Sequence, residues 1–468
     1  MKKLSFVLFA LLIAPCAAGQ IKMAAMFSDN MVLQRNSEAK IWGWAAGRGE
    51  TLRVVGSWNT ADTVNAVVDN HARWEATLKT GDAGGPYAIT ILGCGGHTIA
   101  NVLLGEVWLC SGQSNMEWSY NHGLSNGDVE IPAADHPDIR IFTTMMIASA
   151  TPQDDCRGEW EVCTPEVMRR SSAVAYFFAR SLKRKLGVPV GVIVSAWGGT
   201  CAEVWTPAEM VNGDSQLAAA AAFQEDLPWW PFKPGVAYNA MIYPFAGYRI
   251  VGSIWYQGEG NSTKSTYATY DKLMRTLIGC WRNDFGAGMP FYYVQIAPFN
   301  YGENNVAQLL REQQTRTLGL RGTGMAVVSD LVDNVGNIHP GNKYDVGDRL
   351  ADLALADIYC KPDWPHLYPQ YDKMTVEKNR AVVTFRDAPG GITVRGDKVL
   401  AVRIAGADRR FVEANAQVKD GKLIVWSKEV KEPVAVRFSF TNNSIGNLFS
   451  GEGLPAVPFR TDDWDEIY

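Results

Sequence analysis

The run Val107-Trp108-Leu109-Cys110-Ser111-Gly112-Gln113-Ser114-Asn115-Met116 decides the architecture. Its first half is a short apolar stretch of the kind that forms a strand buried on both faces, and Gly112 opens a tight polar turn directly after it. A strand ending in such a turn presents the Ser114 hydroxyl at the carboxyl end of a sheet, where open α/β sheets hold their ligands. Serine is a poor nucleophile until a base takes its proton. Of the six histidines, only His339 lies in a polar loop flanked by Gly336, Pro340 and Gly341 and followed by a helix-like segment. Ser114 and His339 together predict hydrolysis through an acyl-serine. The competing reading of the isolated motif is a Ser/Asn turn that caps a helix.

Three more glycine-polar turns follow strand-like runs. Val192 to Ala196 leads into Trp197-Gly198-Gly199-Thr200, and Ile250 to Tyr256 into Gln257-Gly258-Glu259-Gly260-Asn261. Met325 to Asp330 opens the segment that reaches Ile338-His339-Pro340-Gly341-Asn342-Lys343. With Gly112 to Met116, these four ordered motifs resemble the sialate O-acetylesterase family, a carbohydrate-esterase branch of the SGNH hydrolases. Weaker echoes run from Val32-Leu33-Gln34-Arg35 to the segment Gly453 to Arg460, so the resemblance covers nearly the whole chain after its first residues.

The resemblance implies removal of O-acetyl groups from sialic acid, with Ser114 as nucleophile and His339 as base. It implies oxyanion donors from the Ser114 amide, the Gly198-Gly199 turn, and a side chain from Gln257 or Asn261. Gln113 and Glu259 become walls of the ester pocket. Arg311 and Arg316, on an expected helix, become candidates for a sialate carboxylate, because guanidinium grips carboxylates in bidentate fashion. Glu259 alone does not make a glycosidase, which usually needs two facing carboxylates. Many SGNH hydrolases carry an aspartate three residues before the histidine; Gly336 stands there in this chain. Asp333 is the first choice to orient His339, with Asp330 as an alternative and a Ser-His dyad braced by a main-chain carbonyl as another. Asp345 and Asp348 read as surface or capping groups. An esterase acting on plant polysaccharide such as acetylated xylan is the nearest rival function, and a carbohydrate-binding protein without catalysis the remoter one.

Composition bounds these readings. Lys2 and Lys3 precede an apolar stretch, Leu4 to Ala14, that is too short to span a bilayer; small residues follow it, as in a secretory leader cut after Ala18 or Gly19. The expected product is exported, periplasmic or extracellular. The net charge of −5 is mild and spread along the chain, which argues against nucleic acid or an anionic membrane as partner. Sixteen tryptophans and seventeen tyrosines supply rings that can stack on sugar faces. Of the eight cysteines, Cys16 falls in the leader and leaves an odd number. Cys156 and Cys163 could close a small disulfide; Cys94, Cys110, Cys201 and Cys280 read as buried thiols. No Cys/His spacing resembles a zinc site, and the expected chemistry needs no metal or cofactor. Oligomeric state is not legible.

The expected organisation is a leader at 1–19, a β-rich, sandwich-like unit at 20–102, an α/β catalytic unit at 103–360 and a second β-rich unit at 361–468. In the α/β unit a parallel sheet of SGNH-hydrolase type is flanked by helices at 171–186, 270–281, 306–318 and 344–358. The loop Leu227-Pro228-Trp229-Trp230-Pro231-Phe232 reads either as a hydrophobic plug or as one wall of a sugar cleft.

Overall fold

The computed structural model describes residues 20–93, 95–224 and 227–464, so the expected leader and Cys94 lie outside the described residues. Seven strands make the main path of a large mixed sheet: β1 (His97–Gly112), β2 (His136–Thr143), β3 (Trp160–Cys163), β4 (Val190–Ala196), β5 (Gly252–Tyr256), β6 (Phe291–Val294) and β7 (Thr323–Ala326). Their spatial order is β3-β2-β4-β1-β5-β6-β7. All neighbours are parallel except β3, which runs antiparallel on the edge. After β1 the chain lays down β2 and the edge strand β3, inserts β4 between β2 and β1, and then crosses to the other side of β1 to add β5, β6 and β7 in turn. Gly112 therefore ends its strand between Ala196 and Tyr256, at the switch point where such sheets open a crevice.

Every residue of β4, β5 and β6 is buried, which is what apolar, β-branched runs achieve when helices cover both faces. The helices that flank the sheet and frame the site include α1 (Ser114–Glu117), α2 (Ala173–Leu186), α3 (Tyr270–Phe285), α4 (Ala307–Thr317) and α5 (Tyr344–Asp357). Helix α2 packs on α5, and α3 on α4. Trp108 on β1 is fully buried, edge-on to Phe178 of α2 at 5.0 Å between centroids. Truncating such a core tryptophan to alanine costs about 3–5 kcal/mol. The last turn of α2 carries three cations, which suit the negative end of the helix dipole, and each also meets a carboxylate: Lys183 with Asp138, Arg184 with Asp348 and Lys185 with Asp352.

Strand β1 continues through the expected boundary at 102/103. Its first half pairs with Gly84–Leu92 and with Val32–Gln34, so the N-terminal strands are stitched into the same sheet as the α/β part. A separate three-stranded sheet, with Glu38–Trp44 at its centre, forms the other N-terminal layer. The C-terminal segment builds two four-stranded sheets and one two-stranded sheet. It packs on the α/β part, with Arg460 gripping Glu312 through two bonds of 2.9 and 3.0 Å.

The expected Cys156–Cys163 disulfide does not form: both thiols are free and buried, and the Cys163 sulfur points at the Ala134 carbonyl, 3.6 Å away. Burial pushes both thiols up to about 12, so neither is a reactive thiolate.

Candidate active site

Gly112 makes the turn. Its φ is +143°, and a methyl group on it would sit 2.2 Å from the Tyr256 carbonyl oxygen, so only glycine fits against the neighbouring strand. Gln113 then caps the short helix α1, and Ser114 opens it. Ser172 braces the turn from outside: its hydroxyl accepts from the Ala175 amide at the start of α2 and donates to the Met116 carbonyl at 2.6 Å.

Ser114 and His339 meet. The Ser114 Oγ lies 2.8 Å from His339 Nε2. The imidazole is held flat against the Trp118 indole, with centroids 3.9 Å apart and planes 17° from parallel. Its main chain is fixed by Asn337, whose Oδ1 accepts from the His339 amide and whose Nδ2 donates to the His339 carbonyl. Burial, the Lys343 charge and then His122 hold the imidazole down to about 4, so it is neutral at neutral pH, the state that accepts a proton.

Asn115 joins three loops behind the nucleophile. Its Nδ2 donates to Glu259 Oε1 at 2.7 Å and to the Ile338 carbonyl at 3.1 Å, while its Oδ1 accepts from Lys343 Nζ at 2.6 Å. Lys343 is fully buried, which lowers its pKa to about 7 against the opposing pull of Glu259. Glu259 is itself buried, and burial raises its carboxyl. The amide thus mediates between a buried cation and a buried carboxylate, two groups that would be costly to leave alone. Because Ile338 precedes His339, this bracket also sets where the imidazole sits relative to Ser114.

A cavity of about 470 Å³ opens over the pair, lined by Gln113, Glu117, Trp118, Trp197, Trp230 and Ile338 among others. A larger cavity of about 740 Å³ lies against the C-terminal segment, but chemistry, not size, marks the site. Trp230, from the aromatic loop, covers Gly199, whose φ is +76° and whose hypothetical Cβ would collide with the indole at 2.2 Å.

The other sequence-predicted residues fall in different places. The Gly198 amide is taken by Glu117 Oε2 at 2.7 Å. Gln257 donates to the Thr200 carbonyl and to Asn261 Oδ1, and Asn261 in turn donates to Glu203. Both amides are fully buried and their N–H groups are engaged inside the protein, so neither side chain is directed at the serine. The Ser114 amide makes no backbone hydrogen bond among the described residues. Gln113 Oε1 accepts from the Gly258 and Gly260 amides at 3.3 and 3.2 Å. Arg311 is not a surface cation: it is 1% exposed, with its guanidinium on the Thr441 and Asn442 carbonyls. Arg316 pairs with Glu312. Asp333 is exposed and makes no hydrogen bond to the imidazole, and Asp330 is held by Arg349 through two 2.7 Å bonds. No described residue bonds His339 Nδ1, so the structure brings neither aspartate to it. Sequence reasoning missed Glu117, Trp118 and the roles of Asn115 and Lys343, although all four lie inside or beside the quoted motifs.

A family model described as carbohydrate esterase, sialic acid-specific acetylesterase, matches residues 104–356. Sialate O-acetylesterase of Homo sapiens is 31% identical over 398 residues, spanning 76% of this chain and 75% of the relative. The Mus musculus protein of the same name is 29% identical, spanning 72% and 73%. The crystal structure of a carbohydrate acetylesterase from Xanthomonas citri superposes with a TM-score of 0.86 at 34% identity, covering 95% of this chain and all of that one.

Proposed function

The chain belongs to the sialic acid-specific acetylesterase family of carbohydrate esterases and is an ester hydrolase, and on that premise we propose that it removes O-acetyl groups from sugars through an acyl-serine on Ser114. The observation that carries this is the 2.8 Å contact between Ser114 Oγ and His339 Nε2 in a tryptophan-lined cavity.

Neutral His339 accepts the Ser114 proton through Nε2 as the oxygen attacks the acetyl carbonyl. This requires the Nδ1–H tautomer. The Ser114 amide, left over at the start of α1, and the Gly199 amide in the cavity wall receive the oxyanion. The imidazolium then protonates the departing sugar oxygen, the C–O bond breaks, and acetyl remains on Ser114. Water, deprotonated by the same imidazole, attacks the acyl-serine, and the proton returns to Ser114 as acetate leaves. The catalytic unit is a dyad oriented by Trp118 stacking and by the Asn115 bracket; Asp333 takes no part. The SGNH-type arrangement is supported by a serine just past the central strand and a histidine in the loop after β7. Trp197 and Trp230 offer ring faces to a sugar.

The leader-like segment at 1–19 supports export to the periplasm or the extracellular space. No helix among the described residues is long and apolar enough to cross a membrane. A carbohydrate-binding protein without catalysis is disfavoured, because such a protein has no need of a serine–histidine contact. Acetate release from O-acetylated sugars by Ser114→Ala, His339→Ala and the double variant tests the assignment. Each single variant should lose nearly all activity and the double should be hardly worse, since the two act as a unit. Singles that stay appreciably active, with a double far below both, would contradict it.

A further inference from the structure

We propose that the Ser114 cavity selects an uncharged O-acetylated sugar unit, with Glu117 accepting a hydrogen bond from one of its hydroxyls, and works against a substrate that carries a carboxylate. This rests on the acyl-serine reading above and names its substrate class.

Glu117 stands beside the reacting atom. A methyl group placed on Gly198 would lie 3.1 Å from Glu117 Oε2 and 3.3 Å from the Ser114 Cβ, so the carboxylate and the nucleophile flank one point in the cavity wall. Oε2 is committed to the Gly198 amide. Oε1 has no protein partner among the described residues, and it is not among the buried, unpartnered atoms. It is therefore an accessible acceptor within the cavity. Burial raises the carboxyl, and the amide bond from Gly198 pulls the other way.

The cavity wall offers little to balance a second negative charge: besides His339, its one other basic side chain among the described residues is His122, whose Nδ1 is engaged by the Ser119 amide and hydroxyl. None of the described lining residues is lysine or arginine. Arg311, the guanidinium that the sequence offered for a sialate carboxylate, is sealed under Thr441 and Asn442. Lys343 is fully buried behind Asn115. His339 is neutral at neutral pH, for the reasons of burial given above. A carboxylate entering here would lose water and meet Glu117 with no guanidinium to pair with. At about 10 Å and an effective dielectric of about 20, that repulsion slows kcat/KM by about tenfold at low ionic strength, and salt screens it. A neutral sugar meets three tryptophans and an acceptor, which is a surface its ring faces and hydroxyls can use.

The test compares 9-O-acetyl-N-acetylneuraminic acid with its methyl ester, which differ in one charge, alongside an acetylated methyl β-xyloside. Wild-type protein should turn over the methyl ester about tenfold faster than the free acid in low salt, the gap should narrow as salt is added, and the xyloside should be a good substrate. Glu117→Gln should shrink the ester-to-acid ratio and lower kcat/KM on the xyloside. Parity, or a preference for the free acid, overturns the proposal on wild-type protein alone, whether or not the variant folds. Ser114→Ala run on all three substrates separates the readings: activity surviving there would refute the acyl-serine, whereas a preference for the acid with Ser114→Ala inactive refutes only the neutral-sugar selectivity.

Discussion

The Trp118 indole lies face to face with the His339 imidazole, 3.9 Å between centroids, four residues along the chain from the serine that the same imidazole contacts. Nucleophile and orienting ring therefore come from a single turn. The indole also donates to the Gly123 carbonyl at 2.6 Å, which fixes its own plane. Trp118→Ala should lower kcat by about 10- to 100-fold through loss of imidazole alignment, while Trp118→Phe, which keeps a stacking face, should recover part of it. Steady-state kinetics with a small aryl acetate read this without a contribution from sugar binding.

The pH profile follows from the imidazole's environment. Since His339 must be neutral to act and is held down to about 4, the acidic limb of kcat/KM should have its midpoint near 4, well below the usual histidine range. Lys343 is one of the causes of the depression, so Lys343→Met removes a repulsion, stabilises the imidazolium and moves the limb to higher pH. A limb unchanged in Lys343→Met would break the link between the two residues.

Lys343→Met should also destabilise the fold, because Asn115 Oδ1 loses its donor and the buried Glu259 loses a cation that favours its carboxylate; about 3–5 kcal/mol is the cost of stranding one member of a directly paired buried ion pair and bounds the loss from above. Asn115→Ala should cut kcat more than it raises KM, since it releases the Ile338 carbonyl next to His339 without touching the sugar. Thermal unfolding measured beside kinetics separates the two effects.

The two aspartates near the histidine should behave oppositely. Asp333→Asn should leave activity and Tm nearly unchanged, because the side chain is exposed and does not reach the imidazole. Asp330→Asn should lower Tm, since it weakens a largely buried pair with Arg349. A large loss of kcat in Asp333→Asn, with Tm unchanged, would restore it as the orienting acid.

What the sequence made legible was local. The apolar run before Gly112 and the polar loop around His339 carry their structure in a few adjacent residues, and the 3.6-residue period placed α3 and α5 within a few residues of where they stand. What it hid depends on distant partners. Arg311 reads as a guanidinium free to grip a ligand carboxylate until the Thr441 and Asn442 carbonyls close over it. Gln257 and Asn261 read as free amides until Thr200 and Glu203 occupy them. Glu117 carries no signal of its own in the sequence, and only the return of Gly198 after β4 marks it as a neighbour of the serine. Cys156 and Cys163 are close in sequence, yet β3 and the loop before it bury the two thiols separately.

Rapid-quench intact-mass analysis with peptide mapping, using an activated aryl acetate, reads out whether Ser114 carries the acetyl group during turnover. The expected result is a transient gain of one acetyl group on the peptide containing Ser114, absent in Ser114→Ala and formed far more slowly in His339→Ala. Turnover with no acetylated protein under conditions where deacylation limits the rate, or acetyl found on another residue, would contradict it.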